Sequence, residues 1–316
     1  MFVPLTAVVS DMTRIGSSDL DVFPLALGGN VFGWTADRDA AFAVLDAFVD
    51  GGGDFIDTAD SYSAWVPGNE GGESETIIGA WLASRRPQGV VVATKVSQHP
   101  AFRGLSAGNV RRAAEASLAR LGVDEIDLYY AHFDDESVPL EETVEAFGAL
   151  VTDGLVRHVA VSNYTADRIR QWIDIADRLG VARPVAVQPH YNLVHRNDVE
   201  DTIIPVAEEF GLSLVPYYAL ASGFLTGKYR STDAGERGLR GPPAPRSTPP
   251  RLDFGSSTRW MRSAPRTTHP SPRRPWPGCG RSRPWWRPSR VPGRWIRFRI
   301  CSPERGWSCR QRRSSA

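Results

Sequence analysis

Residues 90–96 read VVVATKV, a run of apolar and β-branched residues that contains a single charge, Lys95. An amphipathic pattern at residues 73–85 precedes this run, and another at residues 106–121 follows it, with Ser106 placed to cap the second. The apolar run predicts a buried strand, and the flanking patterns predict helices. A strand between two helices is the repeating unit of a parallel sheet in an α/β protein.

The same alternation extends in both directions along the chain. Besides residues 90–96, strands are predicted at residues 22–27, 54–58, 126–132, 156–162, 185–188 and 212–217. Besides the two helices above, helices are predicted at residues 36–50, 139–153, 165–179 and 198–210. We therefore expect one domain over residues 13–230 with seven strands, the last of which is followed by no convincing helix pattern.

Parallel strands joined by helices form either an open doubly wound sheet or a closed barrel. No G-x-G-x-x-G sequence follows the first predicted strand, which disfavours the dinucleotide-binding open sheet. Polar and aromatic residues instead recur at the C-terminal ends of the predicted strands, where (β/α)8 barrels carry their active sites. We therefore predict an α/β protein with a (β/α)8 TIM-barrel fold, in which strands one to seven are readable.

Four residues near these strand ends form a chemically meaningful set: Asp57, Tyr62, Lys95 and His132. A tyrosine has a pKa of about 10 and is a poor acid at neutral pH, but an adjacent ammonium favours the phenolate and is expected to lower that pKa. The aspartate would hold the lysine, and the histidine would orient a substrate oxygen. Each residue alone also has a structural interpretation, and only the combination indicates proton delivery to a carbonyl oxygen.

Several longer motifs accompany these four residues. They are GGNVFGW at 28–34, DFIDTADSY at 54–62, NEGGESETIIGAWLA at 69–83, VVVATKV at 90–96, LARLGVDEIDLYYAHFDD at 118–135, VSNY at 161–164, VQPHYN at 187–192 and LASGFLTGKY at 220–229. In this order they resemble the aldo/keto reductase superfamily, including bacterial members related to the branch of the potassium-channel β-subunits. The resemblance covers roughly residues 13–230.

The resemblance implies a barrel that transfers a hydride from NADPH to the carbonyl of an aldehyde or ketone. It implies that Tyr62 is the proton donor, that Asp57 and Lys95 tune it, and that His132 orients the carbonyl. It further implies that the cofactor is bound by Ser162, Asn163, Gln188, Tyr217, Leu220, Gly223 and Lys228, and that the substrate pocket is lined by Trp34 and Trp65.

The resemblance leaves some choices open. Residues 217–223 read YYALASG, where the family usually has YSPLASG, so Tyr218 and Ala219 depart from the pattern. A non-enzymatic, cofactor-binding partner protein of the channel β-subunit kind remains the alternative to an enzyme. The choice of NADP over NAD rests on the resemblance alone.

Charge divides the chain into two unlike parts. The formal net charge is +1, but residues 1–230 carry 17 Lys and Arg against 32 Asp and Glu, whereas residues 231–316 carry 20 Arg, no Lys and 4 acidic residues. The second part also holds 14 Pro, a density that disfavours both helices and interior strands. An Arg-rich disordered tail that binds nucleic acid is one interpretation, and translation in a shifted reading frame is the other, which we favour.

The shifted frame can be examined by back-translation. Residues 275–290 read PWPGCGRSRPWWRPSR, and GC-rich codons for them, read after two bases are dropped, permit VAWLRSQPTVVAPVA. That sequence resembles the end of a helix and the eighth strand of an aldo/keto reductase. The shift would begin within residues 231–250. A barrel without its eighth strand exposes two strand edges and opens its core, so we expect the chain as written to fold poorly or to be inactive.

Other features of the sequence exclude several classes of protein. The three cysteines, Cys279, Cys301 and Cys309, have no metal-ligand spacing, so neither a metal site nor a disulfide framework is expected. No stretch of the sequence approaches the length of about 18 consecutive apolar residues that a membrane span needs. The N-terminus also lacks the basic region with which a signal peptide begins. We expect a cytoplasmic protein with a small-molecule carbonyl substrate and no nucleic-acid or membrane partner; the sequence does not indicate its oligomeric state.

Overall fold

The computed structural model describes residues 12–226. Its strands are β1 (Thr13–Arg14), β2 (Asp21–Val22), β3 (Ala26–Gly28), β4 (Phe55–Asp57), β5 (Val91–Val96), β6 (Gln98–His99), β7 (Phe102–Arg103), β8 (Ile126–Ala131), β9 (Val156–Ser162), β10 (Pro184–Gln188) and β11 (Ser213–Leu214). Seven of them form one parallel sheet in the order β11-β10-β9-β8-β5-β4-β3. The other four pair as two antiparallel hairpins, β1 with β2 and β6 with β7.

Helices alternate with the strands of this sheet, as the sequence predicts. They are α1 (Arg38–Asp50), α2 (Glu73–Arg85), α3 (Ala107–Leu121), α4 (Leu140–Thr152), α5 (Ala166–Leu179) and α6 (Ile204–Phe210). The alternation and the curled parallel sheet confirm the prediction of an incomplete (β/α)8 barrel with seven readable strands. The predicted loss of the eighth strand, the proposed tail at 231–316 and Lys228 all lie outside the described residues.

The beginnings of two helices show how far local sequence fixes a cap. Asp37 caps α1, because its side chain accepts a hydrogen bond from the backbone N–H of Ala40. Ser106 lies at the predicted cap position of α3, but its side chain makes no capping bond. The backbone N–H of Ala107 donates instead to Glu142 Oε1 at 2.9 Å. A carboxylate of α4 therefore serves a helix end that the sequence assigned to a local serine.

Two strands and one helix differ from their predicted bounds. The first predicted strand, 22–27, is divided at Pro24: β2 ends before the proline, and β3 begins after it. Proline has no N–H to donate to a ladder, which accounts for the division. The seventh predicted strand, 212–217, is reduced to β11. The predicted helix 198–210 begins as a π-helical turn, Val199–Ile203, before it continues as α6.

The hairpin of β1 and β2, which the sequence did not predict, packs against the N-terminal end of the barrel. Ile15, Leu20 and Val22 are buried with the side chains inside the sheet. Gly16 in its turn has φ +52°, and a Cβ there would lie 2.1 Å from the carbonyl oxygen of Val185, so a side chain does not fit. The hairpin thus fills the N-terminal end of the barrel and leaves the opposite end to the polar residues.

Three apolar clusters of the described residues hold the sheet, one inside it and two outside it, and one of the outer two, which includes Leu45 and Trp81, packs α1 and α2 on the sheet. Inside it, the hairpin packs on a cluster that includes Phe55, Leu128 and Val215, whereas outside it a larger cluster lies between the sheet and α3 to α6. Burial on both faces explains why β5 reads as a continuous apolar run rather than an alternating one. Within residues 12–226 no helix is long and apolar enough to cross a membrane.

Candidate active site

Adjacent strands place Asp57 and Lys95 together at the C-terminal end of the sheet. Lys95 is fully buried, and its Nζ donates to Asp57 Oδ2 at 2.7 Å, to the carbonyl oxygen of Thr58 at 2.6 Å and to the phenol oxygen of Tyr62 at 3.0 Å. These acceptors occupy all three N–H groups of the ammonium. Burial lowers the pKa of Lys95, but the Asp57 carboxylate and Tyr62 outweigh burial, so the pKa is raised overall and the side chain is charged.

Tyr62 lies in the turn that follows β4. The turn is fixed on β5 by two backbone bonds, from Thr58 N to Ala93 O at 2.8 Å and from Asp60 N to Lys95 O at 3.2 Å. Burial raises the pKa of Tyr62, and the Lys95 charge opposes this shift without cancelling it. Lys95 thus acts in the expected direction, but the net pKa is raised rather than lowered. The phenol therefore keeps its proton at neutral pH.

His132 follows β8 and faces Tyr62. Its backbone N–H donates to the carbonyl oxygen of Val96 at 2.9 Å, and the two ring centroids, of His132 and Tyr62, are 6.1 Å apart with planes at 73°. Burial, and secondarily the Lys95 charge, holds the pKa of His132 well below its usual value, so the ring is neutral. Its buried Nδ1 has no hydrogen-bond partner among the described residues, which favours the proton on Nε2, because an orphaned buried N–H is rarer than an orphaned acceptor.

Three polar side chains at the C-terminal ends of β9 and β10 extend the network. Asn163 Nδ2 donates to the carbonyl oxygen of His132 at 3.0 Å and to Ser162 Oγ at 2.9 Å. Ser162 Oγ in turn donates to the carbonyl oxygen of Gln188 at 2.8 Å, and Gln188 Nε2 donates to Asp57 Oδ1 at 2.9 Å. Asn163 has φ +58°, a conformation that asparagine tolerates better than most residues. The network joins the C-terminal ends of five strands, β4, β5, β8, β9 and β10, into one polar surface.

Tyr217 adds an aromatic ring to this surface. Its hydroxyl donates to Asn163 Oδ1 at 2.8 Å, and its ring stacks on His190, with centroids 5.4 Å apart and planes at 20°. Burial first, and the neighbouring Tyr218 and Tyr62 next, raise the pKa of Tyr217 to about 12. A flat ring beside amide and hydroxyl groups fits a planar heterocycle that carries a carboxamide, because a carboxamide both donates and accepts hydrogen bonds. The residues present therefore suit the nicotinamide end of NADP or NAD.

The loop after β11 contains two more of the predicted cofactor residues. The backbone N–H of Gly223 donates to the carbonyl oxygen of Leu220 at 2.9 Å, inside a tight turn that spans Ala221–Thr226. Gly223 has φ +89°, which glycine adopts at no steric cost. Their predicted contact with a pyrophosphate stays a prediction, as does that of Lys228 beyond the described residues.

The two tryptophans predicted to line a substrate pocket form a short series of rings that begins at Tyr62. Trp65 meets the Tyr62 ring edge to face at 6.3 Å, and Trp34 meets Trp65 in the same manner at 5.8 Å. Both side chains are partly exposed. They form an aromatic wall on one side of the phenol, and their contact with a substrate stays a prediction.

Two contacts of the site escaped the sequence analysis. The carbonyl of Thr58 accepts a bond from Lys95, and backbone acceptors carry no residue-type signal. Gln188 was expected to hold a cofactor, yet its amide also binds Asp57, a contact between residues far apart in the chain. In the part of the chain that the structure describes, no three His, Cys, Asp or Glu side chains cluster as metal ligands.

The sequence of this chain is similar to one protein family and to several known proteins. The Aldo/keto reductase family matches residues 24–253. A probable voltage-gated potassium channel subunit beta of Oryza sativa is 36% identical over 222 residues, which is 68% of this chain and 66% of that protein. An uncharacterized oxidoreductase of Bacillus subtilis, YrpG, is 35% identical over 237 residues, 72% of each chain.

The aldo-keto reductase YhdN, also of Bacillus subtilis, is 32% identical over 223 residues, 68% of this chain and 62% of that protein. The chain thus spans somewhat less than two thirds of the rice protein and of YhdN. The residues matched by the family, 24–253, include every residue of the network described above.

Proposed function

The chain belongs to the aldo/keto reductase family, and we propose that it is an oxidoreductase that reduces the carbonyl group of an aldehyde or ketone with NADPH. The observation that carries the proposal is the position of Lys95 Nζ, which is bonded at once to Asp57, Thr58 and Tyr62. The third acceptor of this buried ammonium is a phenol, a group that can itself give up a proton. If the phenol loses its proton, the Lys95 ammonium beside it neutralises the negative charge on its oxygen.

In the proposed reaction Tyr62 donates its proton to the carbonyl oxygen of the substrate. The nicotinamide, when bound, supplies the hydride that the carbonyl carbon accepts, so the product is an alcohol. Tyr62 is left as a phenolate, and the Lys95 ammonium 3.0 Å from its oxygen stabilises that charge. Because burial raises the pKa of Tyr62 in the resting protein, the phenol is protonated over the whole neutral range and holds the proton that the reaction consumes.

His132 would orient the substrate rather than supply the proton. Its lowered pKa keeps the ring neutral, and the proton assigned to Nε2 can then donate a hydrogen bond to the same carbonyl oxygen. Ser162, Asn163 and Gln188 would hold the carboxamide of the cofactor, and Tyr217 would stack against its ring. The partly exposed tryptophans beside Tyr62 would exclude water from the reacting atoms.

The substitution Tyr62→Phe tests whether Tyr62 is the proton donor. The phenylalanine keeps the ring that packs against Trp65 and His132 but has no proton to donate, so kcat/KM for a panel of aldehydes and ketones should fall by about 10²- to 10⁴-fold, the usual contribution of a general acid. The Kd for NADPH, measured by fluorescence, should stay within about threefold. Turnover by Tyr62→Phe close to that of the parent protein would remove this residue from the proposed role.

A second candidate function is a cofactor-binding subunit without turnover. It is favoured by the rice relative, whose name is that of a probable channel subunit beta. The two candidates separate in a single assay, because a subunit of this kind would bind NADPH and oxidise none of it in the presence of any carbonyl compound. The complete set of Asp57, Tyr62, Lys95 and His132 supports the enzyme.

The third candidate is an inactive product of a shifted reading frame. The family match ends at residue 253, inside the Arg- and Pro-rich part of the chain. Nucleotide sequencing around codons 228–255 tests the shift directly. Thermal unfolding followed by circular dichroism tests its consequence, because a cooperative transition within the ordinary range of about 45–65 °C would contradict the expectation that the chain as written folds poorly.

A further inference from the structure

One amide side chain joins the backbone beside Tyr62 to the backbone beside Trp34. Asn69 lies in the loop that leads from Tyr62 to α2, and its Nδ2 donates to the carbonyl oxygen of Gly33 at 3.1 Å and to that of Ser63 at 3.0 Å. Gly33 precedes Trp34 in the chain, and Ser63 follows Tyr62. We propose that Asn69 is a positioning residue that holds Tyr62 and Trp34 as one unit. This inference rests on the proposed reductase function and adds to it a residue that fixes the proton donor.

The sheet itself ends before it reaches these residues. The pairing of β3 with β4 ends at Gly29, whose backbone N–H donates to the carbonyl oxygen of Asp57 at 2.8 Å. Among the described residues, the loop that follows β3 and the turn that follows β4 are then joined directly only by hydrogen bonds of Ser63 and Asn69. These two side chains therefore hold the loop and the turn together where the backbone ladder no longer does.

Ser63 is the point at which the loop and the turn meet. It is fully buried, and its Oγ donates to the carbonyl oxygen of Phe32 at 2.7 Å. Its φ of +69° is a backbone conformation that residues other than glycine, asparagine and aspartate rarely adopt. Such a conformation persists only where the surroundings impose it, and it is typical of functional sites. The bond from Asn69 thus helps to maintain a strained backbone directly after the proton donor.

The two acceptors determine which atom of the Asn69 amide faces them. Both are carbonyl oxygens, which only accept hydrogen bonds, and the amide nitrogen carries two N–H groups whereas the amide oxygen carries none. The two bonds therefore use both donors of the nitrogen. The backbone of Asn69 is anchored as well, because its N–H donates to the carbonyl oxygen of Val66 at 3.0 Å. An anchored side chain with two bonds fixes the distance between Gly33 and Ser63.

The proposed reaction is sensitive to small displacements of the phenol. The Tyr62 oxygen has to stay within hydrogen-bonding distance of Lys95, at 3.0 Å, while it meets a substrate oxygen. A misplacement of about 1 Å can lower the rate about 100-fold. The Tyr62 ring packs on Trp65, and Trp65 packs on Trp34. Without the Asn69 bonds the loop that carries Trp34 can move relative to the turn, and the packing of the phenol ring changes with it.

The experiment measures kcat per folded site for a panel of aldehydes in the full chain, in Asn69→Ala and in Asn69→Asp, with NADPH binding used to count the sites. Both variants lack the two N–H donors, and aspartate keeps the size of the side chain, so kcat should fall about 10- to 100-fold in each. Asn69 bonds to none of the described residues that are proposed to hold the cofactor, so the Kd for NADPH should stay within about threefold. A kcat close to that of the parent in either variant overturns the inference.

Asn109→Ala is the matched control. The Nδ2 of Asn109 also donates to two carbonyl oxygens, those of Phe102 and Gly104, both at 2.7 Å, but these lie before α3 and not beside Tyr62. The control removes the same number of bonds and should lower the melting temperature at least as much as Asn69→Ala, while kcat per site stays close to that of the parent. A structural role of Asn69 predicts the same pattern in both variants, a lower melting temperature with unchanged kcat, and that result also overturns the inference.

A measurement without turnover separates this inference from the proposed reaction. Fluorotryptophan incorporated into the full chain gives a fluorine NMR signal for Trp34, which is identified by its loss in Trp34→Phe. This signal should shift or broaden in Asn69→Ala and stay unchanged in Asn109→Ala. If the parent reduces no carbonyl compound and the signal responds in this way, the reductase proposal fails and the link between the loop and the turn stands. If carbonyl compounds are reduced and the signal is the same in all three proteins, the reductase proposal stands and the role of Asn69 is refuted.

Discussion

The molecule contains two buried clusters that each combine a carboxylate, a cation and a hydroxyl group, in different surroundings. The first, the site cluster, is Asp57, Lys95 and Tyr62; the second, the helix cluster, is Glu75, Arg120 and Thr94. In each, a buried carboxylate binds a cation and a hydroxyl group lies beside the pair: Lys95 Nζ is 2.7 Å from Asp57 Oδ2, and Arg120 Nε is 2.6 Å from Glu75 Oε2. Burial of the charges is similarly complete, with 0% and 11% of the two side chains exposed in the site cluster and 20% and 0% in the helix cluster.

The two clusters differ in whether the hydroxyl group donates or accepts the hydrogen bond within the cluster. Thr94 donates its proton to Glu75, so every member of the helix cluster is satisfied by another. Tyr62 accepts a bond from Lys95 and so keeps its own proton free for a ligand. A buried ion pair is therefore weak evidence of function by itself; the informative feature is a donor that the protein leaves uncommitted at the C-terminal end of a barrel.

The largest expected effect is that of Lys95→Met. The methionine removes the charge that would stabilise the Tyr62 phenolate, so turnover per folded molecule should fall by about 10²- to 10⁴-fold. Lys95 makes no bond to Ser162 or Asn163 in the network, so NADPH binding should persist and can count the folded sites. The matched variant is Arg120→Met, which should lower stability and leave turnover per site nearly unchanged. Similar loss of turnover in both variants would erase the distinction between the clusters.

The next effect is on stability and concerns the helix cluster. Glu75→Ala leaves Arg120 without its carboxylate and Thr94 without its acceptor, so the free energy of unfolding should fall by about 3–5 kcal/mol, the cost of breaking a buried pair. Glu75→Gln keeps an acceptor for Thr94 and should lose less. Urea unfolding measures both values. A loss below about 1 kcal/mol in Glu75→Ala, the level of an exposed pair, would mean that the cluster does not hold α2 to α3.

The two clusters also differ in how well the sequence predicts them. The site cluster could be found because parallel strands bring their C-terminal ends to one edge, so a polar residue at each strand end is enough to place the group together. Lys95 within an apolar run is itself a strong signal, since a charge there needs buried partners. The strand–helix alternation was predictable for the same reason, because burial on both faces leaves a clear pattern.

The helix cluster and the hairpin could not be found in this way. Glu75 and Arg120 lie 45 residues apart on two helices, where each looks like an ordinary charge on a helix surface. The packing of Ile15 under the barrel depends on tertiary contacts, whereas the division of the first predicted strand at Pro24 has a local cause in the proline itself. The sign of the pKa shift of Tyr62 was also beyond the sequence, because it depends on the balance of burial against one charge.

The smallest effect, counted per pH unit, is a dependence of stability on pH that differs between the two regions. Asp60 is buried beside the helix cluster, and burial together with the Glu75 charge raises its pKa well above the usual 3.8. The folded protein therefore holds a proton on Asp60 that the unfolded chain releases above that pH, so the free energy of unfolding falls as pH rises toward the folded-state pKa. His132 has the opposite sign: its lowered pKa means that the unfolded chain binds a proton below 6.5 that the folded protein does not, so acid destabilises.

Asp60→Asn should remove the fall in the free energy of unfolding with rising pH that Asp60 causes. It should leave the destabilisation by acid that His132 causes. At pH 5 the variant and the parent should differ least, and the variant should gain stability relative to the parent as pH rises, by at most about 1.4 kcal/mol per pH unit. Urea unfolding at intervals from pH 5 to 9 measures the difference. A constant offset between the two proteins would show that Asp60 is ionised when folded. Because Asp60 donates its backbone N–H to the carbonyl of Lys95, a change of turnover in the same variant would mean that the two clusters are coupled through this turn, and that their separation into a structural and a functional pair is too sharp.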